Sequence, residues 1–311
     1  MEKNKHIYKV AEHCFEVFLP NNVFHASIKN RIQESYAPFE ADGIPKDMLF
    51  SVKLLDNVVT DDVTNCIFTE QQIETEKGHH RVFTTTEGLL FEQTQPFSEH
   101  INGRVRMDRE LKRAEIAVRG NELQCWFAFN SALMLCYMLA TAQHGTILTH
   151  SSCVVNDGKA YLFLGKSGTG KSTHSSLWLK HIADTTLLND DHPILRVNEQ
   201  DEVIAYGSPW SGKTPCYKNE SAIVGGIIRI KRALQNSIQK LSPVQAYASL
   251  TTSFSGMTWE ANLADSRHST IEKVIENVPC YTLSCLPDEE AAQVCHAAVT
   301  NREAKEDAWR K

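Results

Sequence analysis

From residue 7 to residue 127 the chain alternates short apolar runs with turn-forming clusters. Runs at 15–19, 49–55, 81–85 and 115–118 are rich in β-branched and aromatic residues, and their length predicts strands. His79-His80, which follows Gly78, reads as a loop and carries no assigned role. Between Arg104 and Arg113 the charges alternate in sign, the pattern of a solvated strand or hairpin rather than a binding patch. Residues 126–142 form the most apolar stretch, interrupted by Asn130, Ser131 and Thr141 and followed by His144-Gly145. This is short and polar for a bilayer span and predicts a buried helix.

Beyond that helix the periods change. Residues 146–155 read as a strand carrying His150, Asn156-Asp157-Gly158 as a tight turn, and 159–164 as a second strand. A helix is expected over 171–182, then a strand ending at Leu188 and a hairpin pairing 192–197 with 202–206. A buried strand over 222–230 follows. Ser242-Pro243 supplies an N-cap and an N1 proline for a helix to about residue 253. A helix over 269–278, a strand over 280–284 and a final helix from Asp288 complete an α/β pattern. The expected division is a β-rich region, 1–120, followed by an α/β domain, 121–311.

With 311 residues, 42% of them hydrophobic and 23% charged, the chain has ample apolar material for a packed interior. The net charge of -6 lacks the basic excess that phosphate-backbone binding requires, so nucleic acid is not an expected partner. Nine cysteines without a C-x-x-C pair point to reduced thiols rather than a disulfide framework or a zinc site. Residues 1–5 are polar and lead into no apolar signal-peptide core, which sets the expectation of a cytoplasmic protein without a membrane partner. A homo-oligomer is compatible with the composition.

The chemistry concentrates at Gly165-Lys166-Ser167-Gly168-Thr169-Gly170-Lys171-Ser172-Thr173, which satisfies G-x-x-x-x-G-K-[ST] between an apolar strand and a helix. Glycines let main-chain N–H groups turn toward phosphate oxygens, and the helix start presents its positive end to the same anion. Lys171 is expected on the terminal phosphates of a nucleotide, and Ser172 on the Mg2+ that bridges them. Leu187-Leu188-Asn189-Asp190-Asp191-His192 offers two carboxylates at the end of a neighbouring strand. Adjacent strand residues point to opposite sides, so one Asp can face the metal while the other takes the proton of an acceptor hydroxyl. His192, adjoining that pair, reads as a packed or solvated side chain or, alternatively, as a neighbour of the metal. Cys153 and Cys216 have no adjacent base and are not expected to act as nucleophiles.

The Gly165–Ser172 loop, the preceding His150 and the Asp190-Asp191 pair together resemble the kinase domain of HPr kinase/phosphorylase. The run 167–171 is similar to the phosphate loop of phosphoenolpyruvate carboxykinase. Coverage is roughly residues 145–300, and residues 229–250 followed by 278–288 resemble divergent HPr-kinase-like proteins, some associated with peptide-modification gene clusters. The resemblance implies a phosphoenolpyruvate carboxykinase/HPr kinase-like P-loop domain with a mixed sheet. It further implies transfer of the γ-phosphoryl group of ATP, with Mg2+, to a hydroxyl on a protein, peptide or small molecule. Ser167, Gly168, Thr169, Gly170 and Thr173 would line the phosphates beside Gly165 and Lys171. Ser172 and Asp190 would hold the metal, and Asp190, Asp191 and His150 would serve catalysis.

The Arg-Gly-Leu-Gly-Ile segment of authentic HPr kinases is absent, which argues against HPr as the acceptor. In its neighbourhood stands Ser211-Gly212-Lys213, read as a second anion-binding turn, with Lys213 a candidate catalytic cation and Lys218 and Arg229 weaker ones. A catalytically silent nucleotide-binding regulator is the alternative, and a carboxykinase a more distant one, since no arginine constellation for phosphoenolpyruvate is evident.

Overall fold

The computed structural model describes residues 4–20, 26–43, 45–71, 79–95, 98, 100–212 and 214–300. The chain is mixed α/β and divides into two compact units, one formed by 1–143 with 257–264, the other by 144–256 with 265–311.

The first unit is built on an eight-stranded sheet. Its strands are β1 (Lys5–Val10), β2 (His13–Phe18), β3 (Phe50–Leu55), β4 (Asn65–Gln71), β5 (His79–Thr84), β6 (Gly88–Thr94), β7 (Gly103–Asp108) and β8 (Arg113–Val118). They lie in the order β1-β2-β3-β8-β7-β6-β5-β4, with β3 parallel to both its neighbours and every other pairing antiparallel. His79-His80, read from sequence as a loop, belongs to β5, whose pairing with β4 and β6 supplies the backbone partners that local polarity did not suggest. Helices α1 (Ala26–Tyr36) and α2 (Glu122–Thr141) pack against each other, and α2 also packs on β3, β7 and β8.

Side chains of β7 alternate, with Val105 and Met107 buried and Arg104 and Arg106 partly exposed. Opposite-sign neighbours satisfy the arginines: Arg104 donates to Glu92 at 3.0 Å and Arg106 to Asp62 at 2.6 Å. The charge alternation of 104–113 is thus the polar face of two paired strands.

Helix α2 begins earlier than its apolar stretch because Asn121 caps it, accepting from Gln124 N while the Gln124 side chain accepts from Asn121 N. Among the described residues it is the helix long and apolar enough to cross a membrane, and 56% of its 18-residue window is buried inside the fold. Because α2 packs on the first sheet, the units part after residue 143 rather than at the 120/121 division drawn from sequence.

The second unit carries a nine-stranded mixed sheet. Its strands are β9 (Thr146–Leu148), β10 (Ser151–Asn156), β11 (Lys159–Leu164), β12 (Thr186–Asn189), β13 (Ile194–Val197), β14 (Val203–Tyr206), β15 (Ser221–Arg232), β16 (Ser237–Lys240) and β17 (Cys280–Cys285). The main path runs β12-β10-β11-β15-β14-β13-β9, and β17 joins β15 to β16. The β10–β11 hairpin closes at Asp157 and Gly158, both at positive φ (48° and 69°), as a two-residue turn of this hand requires.

Four helices complete this unit: α3 (Lys171–His181), α4 (Pro243–Leu250), most of α5 (Ala261–Asn277) and α6 (Glu289–Thr300). Ser242 caps α4 with Pro243 in its first turn. Alternation along β11 sends Leu162 and Leu164 into one core with Leu250, Phe254 and Val274, and Phe163 into another with Trp178, Leu283 and Cys295. The sheet is therefore covered by helices on both faces.

Trp178, fully buried, fastens α3 to the sheet; truncating such a side chain to Ala costs about 3–5 kcal/mol. That anchorage fixes where the first turn of α3 stands.

Candidate active site

The segment 165–170 leaves the C-terminal end of β11 and enters α3. It turns through Gly168 (φ 74°) and Gly170 (φ 115°), conformations that a side chain rarely tolerates, and Thr169 N donates to Lys166 O at 3.1 Å. Ser167 and Gly168 are exposed at the tip, Thr169 is half-buried, and Ser172 and Thr173 are exposed on the first turn of α3. Arg232, at the end of β15, donates to the carbonyls of Gly168 and Thr169 and braces the loop from outside.

Lys171 folds back beneath the loop. Its Nζ donates to Gly165 O at 3.1 Å and lies 3.0 Å from His150 Nε2. The side chain is largely buried, which lowers its pKa from the ordinary value, opposed by the charges of Asp191 and Asp190.

His150 does not lie within a continuous strand, as its sequence suggests; it stands in a bend between β9 and β10. The chain breaks there because β9 pairs with β13 whereas β10 pairs with β11 and β12. The main chain at the break is held elsewhere: Thr149 N donates to Pro193 O, and His150 N to Ser253 O at 2.7 Å.

From His150 the contacts continue to the acidic pair. His150 Nδ1 is 3.1 Å from Asp191 Oδ1, and His192 Nδ1 is 3.1 Å from Asp191 Oδ2. Burial alone would raise the Asp191 pKa, but hydrogen bonds from His150 and His192, and their charges, hold it well below the usual carboxylate range.

Asp190, which stands with Asp191 in the bend just past β12, turns the other way. Its Oδ1 accepts from Ser152 Oγ at 2.7 Å, and Ser152 Oγ lies 2.5 Å from Ser175 Oγ on α3. Two neighbouring carboxylates thus occupy different surroundings, one between imidazoles and one on the Ser152 hydroxyl.

Asn189 holds the turn that presents them. Its Oδ1 accepts from the main-chain N–H of both Asp191 and His192 at 2.9 Å, while Nδ2 donates to Ser208 Oγ at 3.1 Å. Ser208 Oγ donates in turn to His192 O at 2.7 Å. Gly212 sits over Asp191: a Cβ built on it would lie 3.1 Å from the Asp191 Cβ. Lys213 lies outside the described residues.

Lys218 lies 3.9 Å from Glu220, and Arg229 donates to Ser249, so neither cation is joined to the loop by these contacts. Cys153 and Cys216 are buried, and burial raises both thiol pKa values, contrary to what an activated nucleophile needs.

Facing ligand atoms of His150, Asp191 and His192 all lie within 4.8 Å of one another, close enough to hold one metal ion. Two imidazoles and a carboxylate suit a borderline ion such as Zn2+ better than Mg2+, which prefers oxygen donors. Ser152, Ser175, Asn189, Ser208 and Arg232 were not singled out from sequence. The available signal was the small polar residues flanking His150, Thr149, Ser151 and Ser152, all buried.

No family model matches this chain, and no curated protein matches it. Among solved structures it is similar to the HPr(Ser) kinase/phosphatase from Coxiella burnetii, at 13% identity and a TM-score of 0.31, over 51% of this chain and 98% of that one.

Proposed function

We propose that the second unit is an ATP-dependent phosphotransferase that moves the γ-phosphoryl group to a hydroxyl on a protein, peptide or small molecule. One observation carries the reading: the loop lysine, Lys171, is linked through His150 to Asp191, so the candidate phosphate cation and a carboxylate belong to one network. A surface glycine loop with an incidental lysine gives no reason for that lysine to turn inward onto a histidine.

In this reading the amides of 166–171 and the start of α3 surround the β and γ phosphates, and Lys171 swings from Gly165 O onto them. The exposed Ser172 hydroxyl offers an oxygen donor of the kind Mg2+ takes, and the His150–Asp191–His192 set offers a second, softer position. A divalent ion bound there would neutralise charge on the phosphates.

The acceptor oxygen forms a bond to the γ phosphorus as the bond to the bridging oxygen breaks, and ADP leaves. The hydroxyl proton passes to the carboxylate of Asp190, whose Oδ1 Ser152 already orients. Asp191, kept ionised by its two histidines, holds His150 and through it the resting position of Lys171. Positioning and charge, rather than covalent chemistry, supply the rate.

The test is incubation of the full chain with Mg-ATP, measuring nucleotide binding and ADP release with and without candidate hydroxyl acceptors. Lys171→Ala is expected to lose binding, and Asp190→Asn to bind and not turn over. Binding without turnover on any acceptor would point instead to a nucleotide-sensing regulator.

A further inference from the structure

Beside the phosphate-loop segment runs an open groove of about 470 Å3. It shares Thr169, Gly170 and Thr173 with the loop and the first turn of α3, then continues over Leu177, Ile230 and Ala233 to a wall made by Leu286 and Pro287. Its volume falls in the range of small-molecule pockets, and its surface beyond the loop is mostly apolar.

The wall is fixed rather than adjustable. Leu286 N donates to the side chain of Asn236, whose amide in turn donates to Asp288 and Glu290. Ala233 N donates to Cys285 O. Arg232 stands where loop and groove meet, exposed, with its guanidinium on the loop carbonyls.

We propose that this groove seats the base of a nucleoside triphosphate, and that it accepts adenine and guanine alike. The inference rests on the phosphate-loop reading and adds the chemical class of the donor. A polyphosphate held by 165–173 leaves its remaining substituent at the first turn of α3, where the groove begins. An apolar trough suits a flat heterocycle, and the Arg232 charge lies along the path of the sugar and its phosphate.

Selectivity is argued from what faces the trough. Its hydrogen-bonding side chains stand at the loop end: Thr169 and Thr173, Arg232 on the loop carbonyls, and the buried His174, whose Nε2 accepts from Trp178. Among the described residues no Asp, Glu, Asn or Gln side chain lines the trough, and the main-chain N–H groups of Ala233 and Leu286 are already engaged. Discrimination between bases needs groups that pair with one hydrogen-bonding edge and are left unpaired by the other. Stacking and apolar contact do not supply it.

The experiment measures equilibrium binding of ATP, GTP and inorganic tripolyphosphate, each with Mg2+, to the full chain. The comparison is among wild type, Ala233→Trp, Leu286→Ala and Lys171→Ala. ATP and GTP are expected to bind within about threefold of each other, and tripolyphosphate at least about tenfold more weakly, because it leaves the trough unused.

Ala233→Trp fills the trough and is expected to weaken both nucleotides at least about tenfold while leaving tripolyphosphate unchanged, which also reports that the variant is folded. Leu286→Ala, at an exposed wall position, should weaken nucleotides about threefold and tripolyphosphate not at all. Lys171→Ala should lose all three ligands.

Tripolyphosphate binding as tightly as ATP, a preference of more than about tenfold between the nucleotides, or nucleotide binding unaltered in both groove variants overturns the groove assignment while the loop reading stands. Failure of all three ligands to bind wild type overturns the loop reading and this inference together.

Discussion

The ring of His150 lies with Nε2 3.0 Å from Lys171 Nζ and Nδ1 3.1 Å from Asp191 Oδ1. One imidazole therefore spans the basic and acidic parts of the candidate site. If the ring donates its Nδ1 proton to Asp191, its Nε2 lone pair is free to accept from the lysine. His150→Ala removes the link but neither end. The expected result is a loss of turnover of at least about tenfold with nucleotide affinity altered less than about threefold, read from initial rates and equilibrium binding.

Asp191 contributes to acid stability. Its folded pKa lies below the ordinary 3.8, so its contribution is present above that value and is lost as pH falls through the folded pKa. Asp191→Asn should thus be less stable than wild type at pH 6. The gap should narrow as the pH is lowered below about 4, in urea denaturation followed across that range. A gap independent of pH would contradict the ion-pair account.

His174 acts in a higher window. The ring is buried, accepts from Trp178 Nε1 at 3.1 Å, and burial pushes its pKa down from 6.5 to about 4. The unfolded chain binds the proton first, so stability is lost as pH falls from 6.5 to about 4 and the loss is complete below that. The size of the effect is roughly 3 kcal/mol. His174→Gln, which keeps an acceptor for the indole, should flatten the slope of unfolding free energy against pH over this window.

Gly212 gives a steric test. A methyl group there would meet the Asp191 side chain at 3.1 Å, so Asp191 or the 211–212 backbone must give by a few tenths of an ångström. Gly212→Ala is expected to lower turnover several-fold, on the order of a misplaced catalytic group, with little change in melting temperature. Unchanged turnover would show that Asp191 tolerates displacement.

The second unit was more legible in the sequence than the first. Its turns are written in residues that have few other uses: Asn156-Asp157-Gly158 closes a hairpin, and Ser242-Pro243 starts a helix. The acidic pair was visible beside the loop; the expectation that Asp190 and Asp191 face apart rests on strand alternation, whereas the two stand in the bend after β12.

The break at Thr149-His150 was not legible. It arises because β9 and β10 take different partners, Ile147 opposite Leu195 and Cys153 opposite Leu162, and pairing across such distances leaves no local mark. For the same reason β5 at His79-His80 was missed, and α2 was assigned to the wrong side of the division. The role of Ser152 needed the third dimension, since only folding brings it against Asp190.

That break also sets the order in which the machinery can be completed. The turn at 157–158 and the short span to Lys171 are local, so loop and lysine can organise early, whereas His150 is seated only when Ser253 and Pro193 have arrived from distant sequence. A partly assembled chain would hold the lysine without its histidine. The imidazole thus meets Lys171 only through main-chain contacts that reach from Pro193 to Ser253.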